Sequence, residues 1–323
     1  MDHKEQTKVK AKKNWLSLVK YTIKRLLLII PLLFFVTLAV FIMLSFAKGD
    51  PAILAVGVEA SAEQIEEKRE ELGLNKPLHE QYFDFLYNLL LHGDLGKSYQ
   101  SGRAVTAEIA RTLPASIELA MWGILLSMVV SVLIGVISAV RQYSAVDVIT
   151  KVAVILGVSM PVFWLGLILI VVFSVTLGWF PSSGWGSLRY MVLPVITIAA
   201  YPTAALTRMT RSSMLEVIRQ DYIRTAKAKG LSEAAVIFKH ALKNACIPVV
   251  TMMGVQLGVL IGGSILTETV FAIPGLGRLT VTAVYARDYP IIRGAILVIA
   301  AMVAVINLLV DLSYALFDPK IRY

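Results

Sequence analysis

Charged and uncharged stretches alternate along this chain at a spacing that fits a lipid bilayer. Leu26 to Ala47 contains no charged residue, and such a run meets the roughly 20 residues that a helix needs to cross the hydrocarbon. Further apolar runs follow: Pro114 to about Val140, Val152 to Leu177 with Pro161 inside it, and Tyr190 to about Leu206 with Pro194 and Pro202. The last two are Pro248 to about Leu266 and Ile291 to Leu316. The pattern predicts an all-α integral membrane protein with six transmembrane helices. Residues 48–112, between the first two runs, are polar and more acidic than basic, which predicts a long extracytoplasmic insertion.

The polar intervals supply the rest of the plan. Residues 1–25 form a basic arm with Lys4, Lys8, Lys10, Lys12, Lys13, Lys20, Lys24 and Arg25. A cleaved signal peptide also begins with basic residues. The run at 26–47 is too long for one, however, and Phe46-Ala47-Lys48 is not a small-residue cleavage site. The arm and the loop at 212–247 hold most of the short-loop lysine and arginine, so both are placed in the cytoplasm. Six crossings then put both termini there. A core of residues 113–316 includes that loop, and residues 317–323 form a cytoplasmic tail. Within the insertion, Ser61-Ala62-Glu63-Gln64 fits a capping box that opens a helix closing near Gly73. After Pro77, the spacing puts Tyr82, Phe85, Leu86, Leu89 and Leu90 on one face, to lie on the membrane or against another span.

The loop at 212–247 is the longest water-compatible interval of the second half. Leu215, Ile218, Tyr222 and Ala226 stand at helical spacing on one face, with Arg219 and Arg224 elsewhere on the surface. Gly230 supplies a helix stop. Ser232 caps a second helix, which Val236, Phe238, Leu242 and Cys246 carry back towards Pro248 and the membrane. The pattern alone leaves two readings open: a docking lever made of two helices hinged at a glycine, or an amphipathic loop on the membrane surface.

Composition narrows the class. The chain is 57% hydrophobic and 16% charged, outside the range of a soluble domain. Its net charge of +9 is spread between apolar runs rather than gathered in one patch with stacking aromatics, which argues against nucleic acid. Cys246 is the only cysteine, which excludes an intrachain disulfide and a cysteine-based metal cluster. His3, His79, His92 and His240 show no i, i+4 pairing, so the sequence predicts no metal site. Gly96-Lys97-Ser98 ends like a phosphate-binding loop, but the leading glycine would fall at Leu91. No serine lies in a GxSxG elbow. The middle of the runs carries no carboxylate; Glu118 and Asp311 lie near run ends, where hydration or a local partner accounts for them. A secondary carrier or channel would need inverted repeats or midplane ionisable groups. A membrane-embedded enzyme would need catalytic side chains gathered at one depth. Neither pattern is present.

Several short motifs occur in order over nearly the whole chain. They are Gly49-Asp50-Pro51, Leu72-Gly73-Leu74 with Pro77-Leu78, Gly93-Asp94-Leu95-Gly96, and Leu113-Pro114 leading to Glu118-Leu119-Ala120. They continue with Arg224-Thr225-Ala226-Lys227-Ala228-Lys229-Gly230, Glu268-Thr269-Val270-Phe271 with Pro274-Gly275-Leu276-Gly277, and Asp318-Pro319. In this order the chain resembles the inner-membrane permeases of bacterial binding-protein-dependent ABC importers, in the dipeptide, oligopeptide and nickel branch. The resemblance implies a type I ABC importer permease fold in the cytoplasmic membrane.

That resemblance also implies a role for the loop. Such permeases carry an EAA-type signature that docks into an ATPase subunit. Here Arg224-Thr225-Ala226 replaces the Glu-Ala-Ala, and the proline lies further downstream of Gly230. By resemblance the coupling helix comprises Asp221, Tyr222, Arg224, Thr225, Ala226, Lys227, Ala228, Lys229, Gly230, Leu231, Ser232 and Glu233. The implied partners are a second, homologous permease in a heterodimer, two ATP-binding subunits, an extracytoplasmic substrate-binding protein and membrane lipid. The chain itself would hold no cofactor and no catalytic residue, with ATP and Mg on the partner subunits. Peptides are the implied cargo, and nickel, metallophores or glutathione the alternatives.

Overall fold

The computed structural model describes residues 3–317 other than Lys48 and Val58, with side chains described over 20–312. Asp318-Pro319, the tail beyond Phe317 and the side chains of Lys4, Lys8, Lys10, Lys12 and Lys13 lie outside the described residues. Helix α1 (His3–Ser45) supplies the first span. The insertion then forms three helices. Asp50 caps α2 (Pro51–Val56), its carboxylate accepting from Ala52 N at 2.9 Å, with Pro51 at the first helical position. Ser61 and Gln64 form the expected capping box on α3 (Ala62–Glu71). Helix α4 (Leu78–His92) ends at Gly93, whose φ of 63° continues the chain in the left-handed conformation.

Helix α4 lies against α1. Its Tyr82 and Phe85 are buried, and the Tyr82 hydroxyl pairs with Thr37 Oγ1 at 3.1 Å. Leu86 and Leu89 join the same contact, whereas Leu90 points away and is 77% exposed. The periodicity was therefore right for four of the five residues it placed on that face.

The core begins with α5 (Val105–Val140), which starts well before the apolar run does. Next come α6 (Ala145–Ser159) and α7 (Val162–Leu169), the latter extended by a π-helical stretch, Ile170–Thr176. The two halves of this third span meet at 106° around Pro161. Pro161 has no N–H to continue the ladder and disfavours helix at Met160 before it, so the single interrupted span of the sequence reading becomes a sharp elbow. Helix α8 (Leu188–Ile218) runs past its apolar part as far as Ile218.

A short break leads to α9 (Asp221–Ala228). Beyond it, α10 (Glu233–Ala235), a π-helical stretch Val236–Ala241 and α11 (Leu242–Gly263) form the fifth span, continuous from Glu233. The interval between the last two apolar runs is itself helical, as α12 (Ile265–Val270) and α13 (Leu276–Ala286), before α14 (Tyr289–Phe317) makes the last span. The helices outrun the apolar runs because hydropathy marks the hydrocarbon slab, and a helix does not have to end at its surface.

Small residues bring α5 against α8. A Cβ on Gly135 would stand 2.6 Å from Thr210 Cβ, and one on Gly123 would stand 2.7 Å from Ile198 Cγ2. Between them Ser127 Oγ donates to Gly123 O at 2.7 Å and reaches Ala199 O on α8 at 3.1 Å. Helices in lipid gain little from burying apolar surface against each other, so close backbone approach of this kind is what holds the pair. Helix α14 closes the bundle against α11 and α1. Arg25 on α1 pairs with Asp311 on α14 at 3.0 Å, and Arg293 on α14 lies over the rings of Phe41 and Phe85 at 5.0 and 5.5 Å.

Candidate functional site

The loop after α8 builds an amphipathic helix with its apolar face turned inward. Helix α8 stops at Ile218, and Gln220 O then accepts from Ile223 N at 3.1 Å and Arg224 N at 3.3 Å to start α9. The phase of the helix resets at this break. Ile223, 1% exposed, and Ala226 pack into a cluster with Met214, Ala139, Val236 and Ala245. Tyr222, which an unbroken helix would bury, is 43% exposed, and its hydroxyl accepts from Asn244 Nδ2 at 2.8 Å.

Asp221, Arg224, Thr225, Lys227, Ala228, Lys229, Gly230, Leu231, Ser232 and Glu233 are exposed with Tyr222. Ala226 is the exception among the residues assigned to docking, because it anchors the helix instead of offering a surface. Gly230 turns the chain at φ 77°, and a Cβ there would meet nothing within 4 Å, so backbone conformation alone selects glycine. Ser232 then caps the next helix, accepting from Ala235 N at 3.4 Å. The site is a short rib that packs against one end of α5, α8 and α11 and carries Arg224, Lys227 and Lys229 on its exposed face.

Beside the rib lies a buried charge cluster that the sequence reading did not assemble. The Asp147 carboxylate, fully buried in the first turn of α6, meets Arg211 of α8 at two points: Nε to Oδ1 at 2.6 Å and Nη2 to Oδ2 at 3.0 Å. Ser138 Oγ donates at 2.7 Å, Tyr143 N at 3.0 Å, and Lys151 Nζ lies 2.9 Å away. A charge out of water needs this many partners to persist. The i, i+4 spacing of Asp147 and Lys151 was visible in the sequence, but the pairing with Arg211 was not.

Two of the quoted motifs meet at the opposite end of the bundle. Glu268 of α12 is fully buried, and both Ser116 Oγ of α5 and Ser264 Oγ donate to its Oε1 at 2.7 Å. Arg278 N donates to Oε2 at 3.0 Å, and Ser116 Oγ in turn accepts from Leu276 N at 2.8 Å. A Cβ on Gly275 would collide with the Glu268 carboxylate, and one on Gly277 would stand 2.7 Å from Ile265 Cα. Both glycines are therefore required by close approach.

Nearby, buried Asp288 accepts from Ser98 Oγ, from Tyr99 N at 3.1 Å and from Gln100 N at 3.4 Å, which ties the insertion to the α13–α14 turn. The serine of Gly96-Lys97-Ser98 is thus committed to a structural contact. Burial raises the Tyr99 phenol above its ordinary pKa, and the Arg293 guanidinium opposes that rise. Among the described residues no group of histidine, cysteine or acidic side chains is placed to hold a metal.

Comparison with known proteins gives consistent matches. Residues 131–323 match the model for the binding-protein-dependent transport system inner membrane component, and residues 18–120 match the model for the N-terminal part of such membrane components. The glutathione transport system permease protein GsiC of Pectobacterium atrosepticum is 46% identical over 95% of this chain and all of its own length. The dipeptide transport system permease protein DppB of Alkalihalophilus pseudofirmus is 41% identical over the same shares. Among solved structures, an inward-facing form of the MetNI methionine ABC transporter superposes with a TM-score of 0.50. It is 19% identical and covers 66% of this chain and 97% of that chain.

Proposed function

The chain belongs to the binding-protein-dependent transport system inner membrane components, with the type I permease fold, and from this premise we propose that it translocates short peptides as the permease of an ABC importer. Dipeptides and oligopeptides are the principal cargo class. Glutathione, itself a short peptide, is the first alternative, because permeases named for it are 46% and 45% identical to this chain. The partners are a second, homologous permease, two ATP-binding subunits that hold ATP and Mg, and a binding protein on the far side of the membrane. Both termini and the α9 rib lie in the cytoplasm.

The observation that carries this reading is the two-faced design of α9. Ile223 and Ala226 fix the helix to three spans at once, while Arg224, Lys227 and Lys229 are presented to a partner. A short helix held in this way passes rigid-body motion from ATP-driven closure into α5, α8 and α11. The spans then alternate between outward and inward openings, and this chain's own residues bind, orient and transmit without performing chemistry.

The test is uptake by proteoliposomes containing the complex co-purified through this chain. ATP-dependent accumulation of a dipeptide or glutathione is expected. Gly230→Pro removes the N–H that bonds Lys227 O at 3.0 Å and forbids φ 77°, so it is expected to release the ATPase subunits or to abolish uptake. A chain that purifies alone and moves solute without ATP would instead be a secondary carrier.

A further inference from the structure

Helix α6 is fastened at one end. Asp147 and Thr150, both in its first two turns, are its only buried residues. Along α6 an apolar groove of about 780 Å³, open to the surroundings, lies between it and its neighbours, lined by Leu126 and Ile134 of α5, Ile149 and Val154 of α6, and Ile196 and Thr203 of α8. Helix α6 therefore meets α5 and α8 along one flank with this groove beside it, and its buried side chains are confined to the root. Its next close approach to α8 is at Gly157, where a Cβ would stand 3.2 Å from Ala204 Cβ.

The fastened end is built not to let go. A carboxylate held by a bidentate guanidinium, a lysine, a hydroxyl and a backbone N–H pays a heavy desolvation cost if any major partner leaves. Its partners come from both neighbouring helices and from the turn between: Ser138 on α5, Arg211 on α8, and Tyr143, whose φ of 68° accompanies the N–H it donates to Oδ2. Arg211 lies one turn before Met214, which is fully buried in the cluster that receives Ile223 of α9. A continuous packed path therefore joins the rib to the root of α6.

We propose that the Asp147–Arg211 clamp is the hinge on which α6 turns, so that displacement of α9 reaches the bent third span through α8. This rests on the reading of α9 as the helix that an ATPase partner moves. Asp147 and Arg211 are positioning residues: they hold the root of the lever while its far part, ending at the 106° elbow, opens or closes the path beside it.

The test pins the lever in the complete complex. Cys246 is the only cysteine, so Cys246→Ser gives a background for the pair Gly157→Cys and Ala204→Cys. With the pair oxidised, ATP-driven uptake of glutathione or dialanine in proteoliposomes is expected to fall roughly ten-fold while hydrolysis without cargo persists, and reductant is expected to restore uptake. Unchanged uptake after oxidation overturns the hinge, and a pair that does not oxidise removes the geometry on which it stands. Arg211→Lys keeps the charge and loses the fork; the complex is expected to assemble and to spend more ATP per peptide, and a native ratio overturns the proposal. Loss of the hinge alone leaves uptake by the unsubstituted complex intact, whereas an unsubstituted complex without ATP-driven uptake overturns hinge and transport reading together.

Discussion

Ser116 on α5 and Glu268 on α12 stand 152 positions apart in sequence, and their side chains meet at 2.7 Å in the interior. The hydroxyl donates to the carboxylate and accepts from Leu276 N, so one serine joins the second span to both sides of the Pro274-Gly275-Leu276-Gly277 turn. Replacing the two residues removes very different amounts of this network. Glu268→Ala strands two hydroxyls and the Arg278 N–H and is expected to cost about 3–5 kcal/mol, since each buried group left unsatisfied costs roughly 1–3 kcal/mol. Ser116→Ala leaves the carboxylate with its other donors and is expected to cost about 1–3 kcal/mol. Thermal unfolding in detergent, followed by circular dichroism, should rank them in that order; equal melting temperatures would deny Glu268 its central place.

The two faces of α9 predict opposite phenotypes. Ile223→Ala opens a void in the cluster beneath the helix and is expected to destabilise the chain by about 2–5 kcal/mol. Arg224→Ala and Lys227→Ala remove exposed side chains, so stability should stay within about 0.5 kcal/mol while capture of the ATPase subunits weakens. Melting temperature and co-purification, measured on the same preparations, separate the faces. A stability loss from Lys227→Ala or undiminished capture by both exposed variants would contradict the assignment.

Glycines in the spans also predict effects of opposite sign. Gly135→Val pushes a branched side chain into Thr210, where even a Cβ would lie at 2.6 Å, and is expected to cost at least about 1–3 kcal/mol by overpacking. A Cβ on Gly263, at the end of α11, would meet nothing within 4 Å. Gly263→Ala is therefore expected to be neutral or to stabilise by about 0.4–1 kcal/mol through the unfolded chain. Melting temperatures of the two variants check both signs.

How much of this was legible beforehand follows from what each feature depends on. Five of the apolar runs could be read as single spanning helices, and the run around Pro161 as a bent pair, because lipid tolerates little besides a run of apolar helix. The helix ends could not, since α5 starts at Val105 and α8 continues to Ile218 in residues that no longer need to be apolar. The buried face of α9 was misassigned by one residue because the helix breaks at Arg219–Gln220, where neither glycine nor proline marks a stop. Ser232 and Gly230 were read correctly, since cap and left-handed turn are local demands. Asp147 shows only its i, i+4 spacing to Lys151 in the sequence, because its pairing with Arg211 spans 64 positions and exists only once α6 and α8 lie side by side. The same holds for Glu268 and Ser116: the motifs around them were visible, but their meeting is a property of the bundle.

Glu118 is a charged residue that the fold itself leaves unanswered. It is exposed on α5 with no hydrogen bond or ion pair among the described residues, on the face that carries exposed Trp122 and Leu125. At a rise of about 1.5 Å per residue it lies roughly 33 Å from the α9 end of the helix at Val140, just past the hydrocarbon thickness of about 30 Å. A carboxylate placed deeper on a lipid-facing helix would carry a large penalty. At this level the proposed arrangement is expected to give it either water or a group on the second permease. In a Cys246→Ser background, Glu118→Cys is expected to react readily with a membrane-impermeant maleimide. Leu125→Cys, about 10 Å further in on the same face, should react roughly ten-fold more slowly. Equal rates would mean that water reaches two turns further into the bundle, and protection of Glu118→Cys only when the second permease is co-expressed would place this face at the interface between the two.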